Sequence, residues 1–239
     1  MKKVHITLQG KGGVGKSLVA SLIAQYLRQS DKDPVCVDTD PVNATFSAYE
    51  AFNARRLELM DGTKINERHF DDLMESILGE DRDFVIDNGA SSFIALSNYL
   101  IENSAIDIIG EAGKQVVLHP VITGGQALLD TLGGFDTLAS QMPDNARIVV
   151  WLNEFFGEIT IDGKQFEDMQ AYKQHQHRVD GLVRIPEQSK DTFGRDMETM
   201  LNAKLTFDDA LASPQFTLMA KQRLKMMQRA VFEQLQVVL

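Results

Sequence analysis

Apolar residues fall along this chain in short blocks with two different rhythms. Runs of aliphatic and β-branched residues such as Val4-His5-Ile6-Thr7-Leu8, Val35-Cys36-Val37 and Phe84-Val85-Ile86 are a few residues long and are bounded by polar or glycine-containing segments. Blocks of that kind predict buried strands, here over residues 4–9, 34–38, 84–87, 115–122, 147–153 and 181–185. Helical segments are predicted between most of them, beginning with Leu18-Val19-Ala20-Ser21-Leu22-Ile23-Ala24. Such alternation predicts an α/β fold, a mostly parallel sheet with helices on both faces. At the end of the chain Phe216, Ala220, Leu224, Met227, Val231, Leu235 and Val238 recur every three or four residues, which makes 215–239 a C-terminal amphipathic helix.

Between the first strand and the first helix stands Gly10-Lys11-Gly12-Gly13-Val14-Gly15-Lys16-Ser17. Its glycines let the backbone come close to phosphate oxygens, so that N–H groups from Gly12, Gly13, Val14, Gly15, Lys16, Ser17 and Leu18 converge on an anion at a helix start. Lys16 would reach the β- and γ-phosphates, and the Ser17 hydroxyl would bind Mg²⁺. Gly10, Gly12 and Gly15 also satisfy a dinucleotide-binding fingerprint, with Asp38 near the position of its ribose-binding acid. Lys16-Ser17 decides for a nucleoside triphosphate, because a dinucleotide has no terminal phosphate for the lysine.

Ligands of parallel sheets bind beyond the carboxyl ends of the strands, and two of those ends are rich in carboxylates. Val37-Asp38-Thr39-Asp40-Pro41 places Asp38 and Asp40 on one side of an extended segment, able to share one Mg²⁺ and its waters. Phe84-Val85-Ile86-Asp87 is an apolar run closing on an acid that can hold a water in the Mg²⁺ shell. Asn88-Gly89-Ala90-Ser91-Ser92 then reads as a mobile turn, an N-cap for the next helix, or both. Asn153 ends a strand with an amide that can pair with adenine, and no Asn-Lys-x-Asp guanine motif occurs.

Lys11 narrows the resemblance. Lys11-Gly12-Gly13-Val14-Gly15-Lys16-Ser17 resembles the deviant Walker A motif of the ParA/MinD family of P-loop NTPases. The resemblance implies ATP as ligand and a homodimer in the ATP state, with Lys11 crossing to the phosphates held by the other subunit. It makes Lys11, Lys16 and Asp40 the catalytic candidates, Asp40 as the residue that positions water. Asp38 becomes a supporting residue in the metal's water shell, Asn153 an adenine contact and Pro186, in Val183-Arg184-Ile185-Pro186, a wall of the base site. Val42-Asn43-Ala44-Thr45 departs from the family in lacking the glutamine and glycine usual after the proline of partition proteins. Segments 38–46, 85–93 and 123–131 resemble a branch of the family encoded in plasmid transfer regions, a likeness that runs to about Leu211. It implies a role in plasmid conjugation or maintenance, with a protein partner.

Composition sets the outer bounds. The chain has 239 residues, 44% hydrophobic and 24% charged, ordinary for a single globular domain. Its apolar runs are too short to cross a bilayer, and the lone Cys36 reads as a buried thiol, so a cytoplasmic location is expected. A net charge of −10 argues against general nucleic-acid or anionic-membrane binding, yet Lys221, Arg223, Lys225 and Arg229 face only Glu233 in 215–239. That segment reads as a helix docked on the core, a contact for DNA or a membrane surface, or a partner helix, with Met226-Met227 as core filler.

Thr123-Gly124-Gly125 reads either as a mobile loop or as a turn with Thr123 capping a helix. Phe155-Phe156 would pack over the base, seal a dimer or plug into the core. His175 and His177 are expected in a solvated polar segment. Two functions from other classes stay open: a small-molecule kinase or ligase like dethiobiotin synthetase, and a nucleotide-controlled binding module that does not hydrolyse ATP.

Overall fold

The computed structural model describes residues 1–239, the side chain of Phe156 excepted. Eight strands form one sheet: β1 (Lys2–Thr7), β2 (Val35–Asp38), β3 (Arg55–Arg56), β4 (Phe84–Asp87), β5 (Lys114–His119), β6 (Val121–Thr123), β7 (Arg147–Asn153) and β8 (Val179–Ile185). They run in the order β8-β7-β5-β1-β4-β2-β3, with β6 beside β7. Every pairing in this sheet is parallel, as connections through helices demand.

Helices cover both faces. They are α1 (Lys16–Gln29), α2 (His69–Gly79), α3 (Phe93–Glu102), α4 (Ala105–Glu111), α5 (Leu128–Gln141), α6 (Gln170–His175), α7 (Arg195–Asn202), α8 (Phe207–Ala212) and α9 (Leu218–Val238). Strand side chains alternate between two cores. Val4, Ile6, Ile86, Val116 and Leu118 pack against α2 to α5, whereas Cys36, Val85, Val117, Val149 and Trp151 pack against α1 and α7 to α9.

The strand expected over 115–122 is two strands, broken at Pro120. Proline has no N–H for the ladder, and its carbonyl instead accepts from the N–H of Trp151 at 2.9 Å. Thr123 does not cap α5; its hydroxyl donates to the carbonyl of Asn153 at 3.0 Å.

In α9 the residues Ala220, Leu224, Met227, Val231, Phe232 and Leu235 are buried. Phe232 sets its ring edge-on to Tyr26 of α1 and Phe207 of α8. Lifting this stripe off the sheet would cost roughly 1.5–3 kcal/mol for each large apolar side chain, so the stripe ties the helix to the core. Met227 fills the core, but Met226 is half exposed. The segment of His175 and His177 is solvated as expected at His177, but not at His175. His175 is buried, lies edge-on to Phe135 and sits 2.8 Å from the Asp136 carboxylate. Cys36 is a buried free thiol whose pKa burial pushes up to about 12. Among the described residues no helix is long and apolar enough to cross a membrane.

Candidate functional site

Parallel register brings distant residues to one edge of the sheet. Thr7 of β1 and Asp38 of β2 both stand opposite Asp87 of β4, so three side chains from three strands meet at the carboxyl ends. The Thr7 hydroxyl donates to the Asp87 carboxylate at 3.0 Å, and Ser17 at the start of α1 also favours its charged form. Asp87 is fully buried, and burial raises its pKa to about 7 despite those donors, with the negative charge of Asp38 adding to the rise and Lys16 opposing it.

The glycine-rich loop crosses this edge between β1 and α1. At Gly15 the backbone takes φ 104°, and a Cβ there would lie 2.6 Å from Nδ2 of Asn153. Both constraints admit only glycine. Asn153 lies beneath the loop, donating to the carbonyl of Val14 at 2.9 Å and accepting from the N–H of Phe155 at 3.3 Å. The amide expected to read a base is thus engaged in holding the loop on β7. Helix α1 begins with no side-chain cap, so its first N–H groups have no side-chain acceptor. Lys16 is mostly buried, and its Nζ donates to the carbonyl of Lys11 at 2.8 Å. Burial pulls its pKa down, against the opposing pull of Asp87 and Asp40.

Asp38 and Asp40 divide their work. The two oxygens of Asp38 accept from the N–H groups of Asp40, at 3.0 Å, and Ser47, at 2.8 Å. Asp38 therefore fastens the loop that presents Asp40. One oxygen of Asp40 accepts from the N–H groups of Val42 and Asn43, at 2.9 and 3.0 Å, which shapes the turn after Pro41. A Cβ at Gly89 would lie 2.5 Å from Cγ of Asp40, so the loops after β2 and β4 touch only because residue 89 lacks one. Asn88 locks the contact: its side-chain oxygen accepts from Thr39 at 3.1 Å and from Ser92 at 2.8 Å.

A cavity of about 520 Å³ opens over these elements. Gly12, Gly13, Gly15, Lys16, Ser17 and Leu18 line it with Asp40 and Asn88, and Asn202 and Lys204 join them from the end of α7. Beside it lies a smaller apolar cavity of about 150 Å³, walled by Leu18, Asn153, Phe155, Ile185, Pro186 and Leu201 among others. Asn153 and Pro186 thus come together away from the carboxylates. Lys11 turns outward, its Nζ 2.7 Å from Oδ2 of Asp130 on α5. Sequence reasoning missed Thr7, Thr39, Asn88, Asp130 and Lys204. Only Asn88 carried a local signal, its place directly after the acid of β4.

Comparison with known proteins fits this geometry. The profile of the CobQ/CobB/MinD/ParA nucleotide binding domain matches residues 6–200. The chain belongs to this family. A curated family relative, Protein TraL of Escherichia coli, is 53% identical over 235 residues, covering 98% of each chain. Among solved structures, the MinC:MinD cell division protein complex of Aquifex aeolicus aligns with a TM-score of 0.53 at 13% identity, over 97% of this chain and 96% of that one. A plasmid partition protein of Borrelia burgdorferi B31 bound to AMPPNP aligns with a TM-score of 0.50 at 16% identity, over 99% of both chains. At such identities the two structures speak for the fold alone. That fold is the MinD/ParA P-loop architecture, a mostly parallel sheet between helices.

Proposed function

We propose that this chain is an ATP-dependent dimerising switch, which binds ATP with Mg²⁺, pairs with a second copy and hydrolyses ATP to ADP and phosphate. The observation that carries the reading is the convergence of the glycine-rich loop, Lys16, Ser17 and Asp40 on one cavity beyond the strand ends, with Asp87 directly behind. Lys16 and the loop N–H groups would hold the phosphates. Asp40 would orient a water whose oxygen attacks the γ-phosphorus while the bond to the ADP oxygen breaks.

The residues present fit a hard divalent cation. The Ser17 hydroxyl and the Asp87 carboxylate supply oxygen donors, and burial beside Asp38 raises the pKa of Asp87 even against Lys16, so a cation there would favour its charged form. When bound, Mg²⁺ would neutralise phosphate charge; Asp87 would hold one of its waters, and Asp38 would act by fixing Asp40. Pro186 and its apolar neighbours would wall the base, with Asn153 holding the loop against it.

Val42, Ile94 and Leu129 support the second copy. They are 70%, 69% and 72% exposed, on the loop of Asp40, at the start of α3 and beside Asp130. In the proposed dimer the second copy would cover these side chains and remove their apolar surface from water. Lys11 would leave Asp130 and enter the partner's site, because an exposed ion pair contributes only about 0–1 kcal/mol.

The likeness to TraL supports a plasmid-linked role, in conjugation or maintenance, with a protein partner. DNA or membrane contact through 215–239 draws less support, since Arg223 pairs with Asp196 and Arg229 with Glu233. Phosphate release measured with and without Lys16→Ala, alongside sedimentation with ATP and with ADP, tests the proposal. Equal release by both proteins, or no ATP-dependent dimer, would overturn it.

A further inference from the structure

Helix α7 ends in a way that favours glycine and has lysine instead. The N–H of Leu205 donates to the carbonyl of Met200 at 3.1 Å, and that of Lys204 to the carbonyl of Leu201 at 3.2 Å. This pair of bonds is the Schellman closure, whose first residue beyond the cap takes left-handed backbone and is usually glycine. Lys204 takes it, with φ 54°. A residue with a Cβ carries a steric cost there that glycine does not, and strained positions of this kind cluster at functional sites.

Lys204 lines the 520 Å³ cavity together with Ser17, Leu18 and Tyr49, and borders a neighbouring cavity with Glu50 and Asp209. Among the described residues it has no carboxylate partner, and its Nζ lies 5.8 Å from the centre of the Tyr49 ring. Tyr49 is itself buried, so the contact gives the ammonium a fixed approach. Leu201, in the last turn of α7 before Lys204, lines both this cavity and the apolar one together with Gly13, Gly15 and Leu18, so the helix ends beside the place where the two meet. In a nucleotide laid with its base in the apolar cavity and its phosphates on Lys16, that junction receives the ribose and the phosphate attached to it.

We propose that Lys204 is a nucleotide-binding residue, a second cation that meets the ribose-proximal phosphate from the end of α7. The proposal rests on the ATP reading of the site. It assigns Lys204 to ground-state binding of ADP and ATP alike, unlike Lys16, which serves the terminal phosphates.

Calorimetric titration of the full chain with ADP and with ATP, in the presence of Mg²⁺, tests it with Lys204→Gly and Lys204→Arg. Glycine suits the backbone, so K204G should fold and should melt at or slightly above the wild-type temperature. Its affinity for both nucleotides should fall by about tenfold, as expected for loss of one charge-assisted contact, and less at high salt. K204R should stay within about threefold of wild type. Nucleotide affinity of K204G within about twofold of wild type overturns the proposal. So does equal loss in K204R and K204G accompanied by a lower melting temperature, the mark of a structural role. If the wild type binds neither nucleotide, the ATP reading fails and this one falls with it; if wild type binds and K16A does not, only the K204 results decide.

Discussion

The Nζ of Lys11 and Oδ2 of Asp130 lie 2.7 Å apart, joining the glycine-rich loop to the first turn of α5 across 119 residues of sequence. Both side chains are about half exposed, at 45% and 58%, so solvent screens the pair. Asp130→Ala should therefore leave the melting temperature nearly unchanged while releasing Lys11. Sedimentation with ATP should show Lys11→Ala monomeric and Asp130→Ala dimeric at lower protein concentration than wild type. A Lys11→Ala protein that dimerises normally would remove Lys11 from the interface.

Asp40 has a structural and a proposed chemical duty, and two substitutions separate them. Asparagine retains an oxygen to accept from Val42 and Asn43, whereas alanine does not. Both Asp40→Asn and Asp40→Ala should slow phosphate release by about a hundredfold or more, in the range lost with a positioned base. Only Asp40→Ala should also loosen the loop, seen as faster proteolysis after Pro41. In both, the ATP-bound dimer should accumulate.

Asp87 opposes stability to function. Its pKa of about 7 in the fold lies above the ordinary carboxylate value of 3.8, so the native state binds the proton more tightly than the unfolded chain. Its contribution is full below pH 4 and is lost as pH rises through 7. Asp87→Asn should abolish that loss, making the nucleotide-free protein more stable at pH 8, while Mg²⁺-dependent nucleotide binding weakens. Melting curves from pH 5 to 8 test the first half, and titration with and without Mg²⁺ the second.

His5 and His119 act in the opposite direction. The indole N–H of Trp151 donates to Nδ1 of His119 at 3.0 Å, which leaves His119 Nε2 to donate to Nδ1 of His5 at 3.0 Å. Burial, ahead of nearby positive charges, lowers the pKa of His5 to about 3 and that of His119 well below 6.5. Their stabilisation is present above pH 6.5 and is lost as pH falls toward 3. His119→Phe should reduce the acid-side loss of melting temperature while stranding the Trp151 N–H, at a cost of about 1–3 kcal/mol at neutral pH.

Asn153→Ala should leave the buried carbonyl of Val14 without its donor, lowering stability by about 1–3 kcal/mol. Because that bond holds the glycine-rich loop on β7, ADP and ATP affinities should fall together. If Asn153 acted only on the base, nucleotide binding would weaken with no change in the melting temperature of the free protein.

Features legible from residue order alone are local in origin. Alternating apolar blocks specify strands and helices because each buries its own face, and the glycine and lysine spacing of residues 10–17 specifies a phosphate-sized loop because backbone sterics act within a few residues. The break between β5 and β6 is local too, because Pro120 has no N–H to give the ladder. The residues that support that loop come together through the folded topology. Asp38, Thr7 and Asp87 meet through parallel register, Asn153 reaches Val14 across 139 positions, and Lys204 enters the cavity through a helix end more than 180 residues away from the loop. Nothing in local spacing encodes those meetings, because they follow from strand order and from the packing of α5, α7 and β7 around one edge of the sheet.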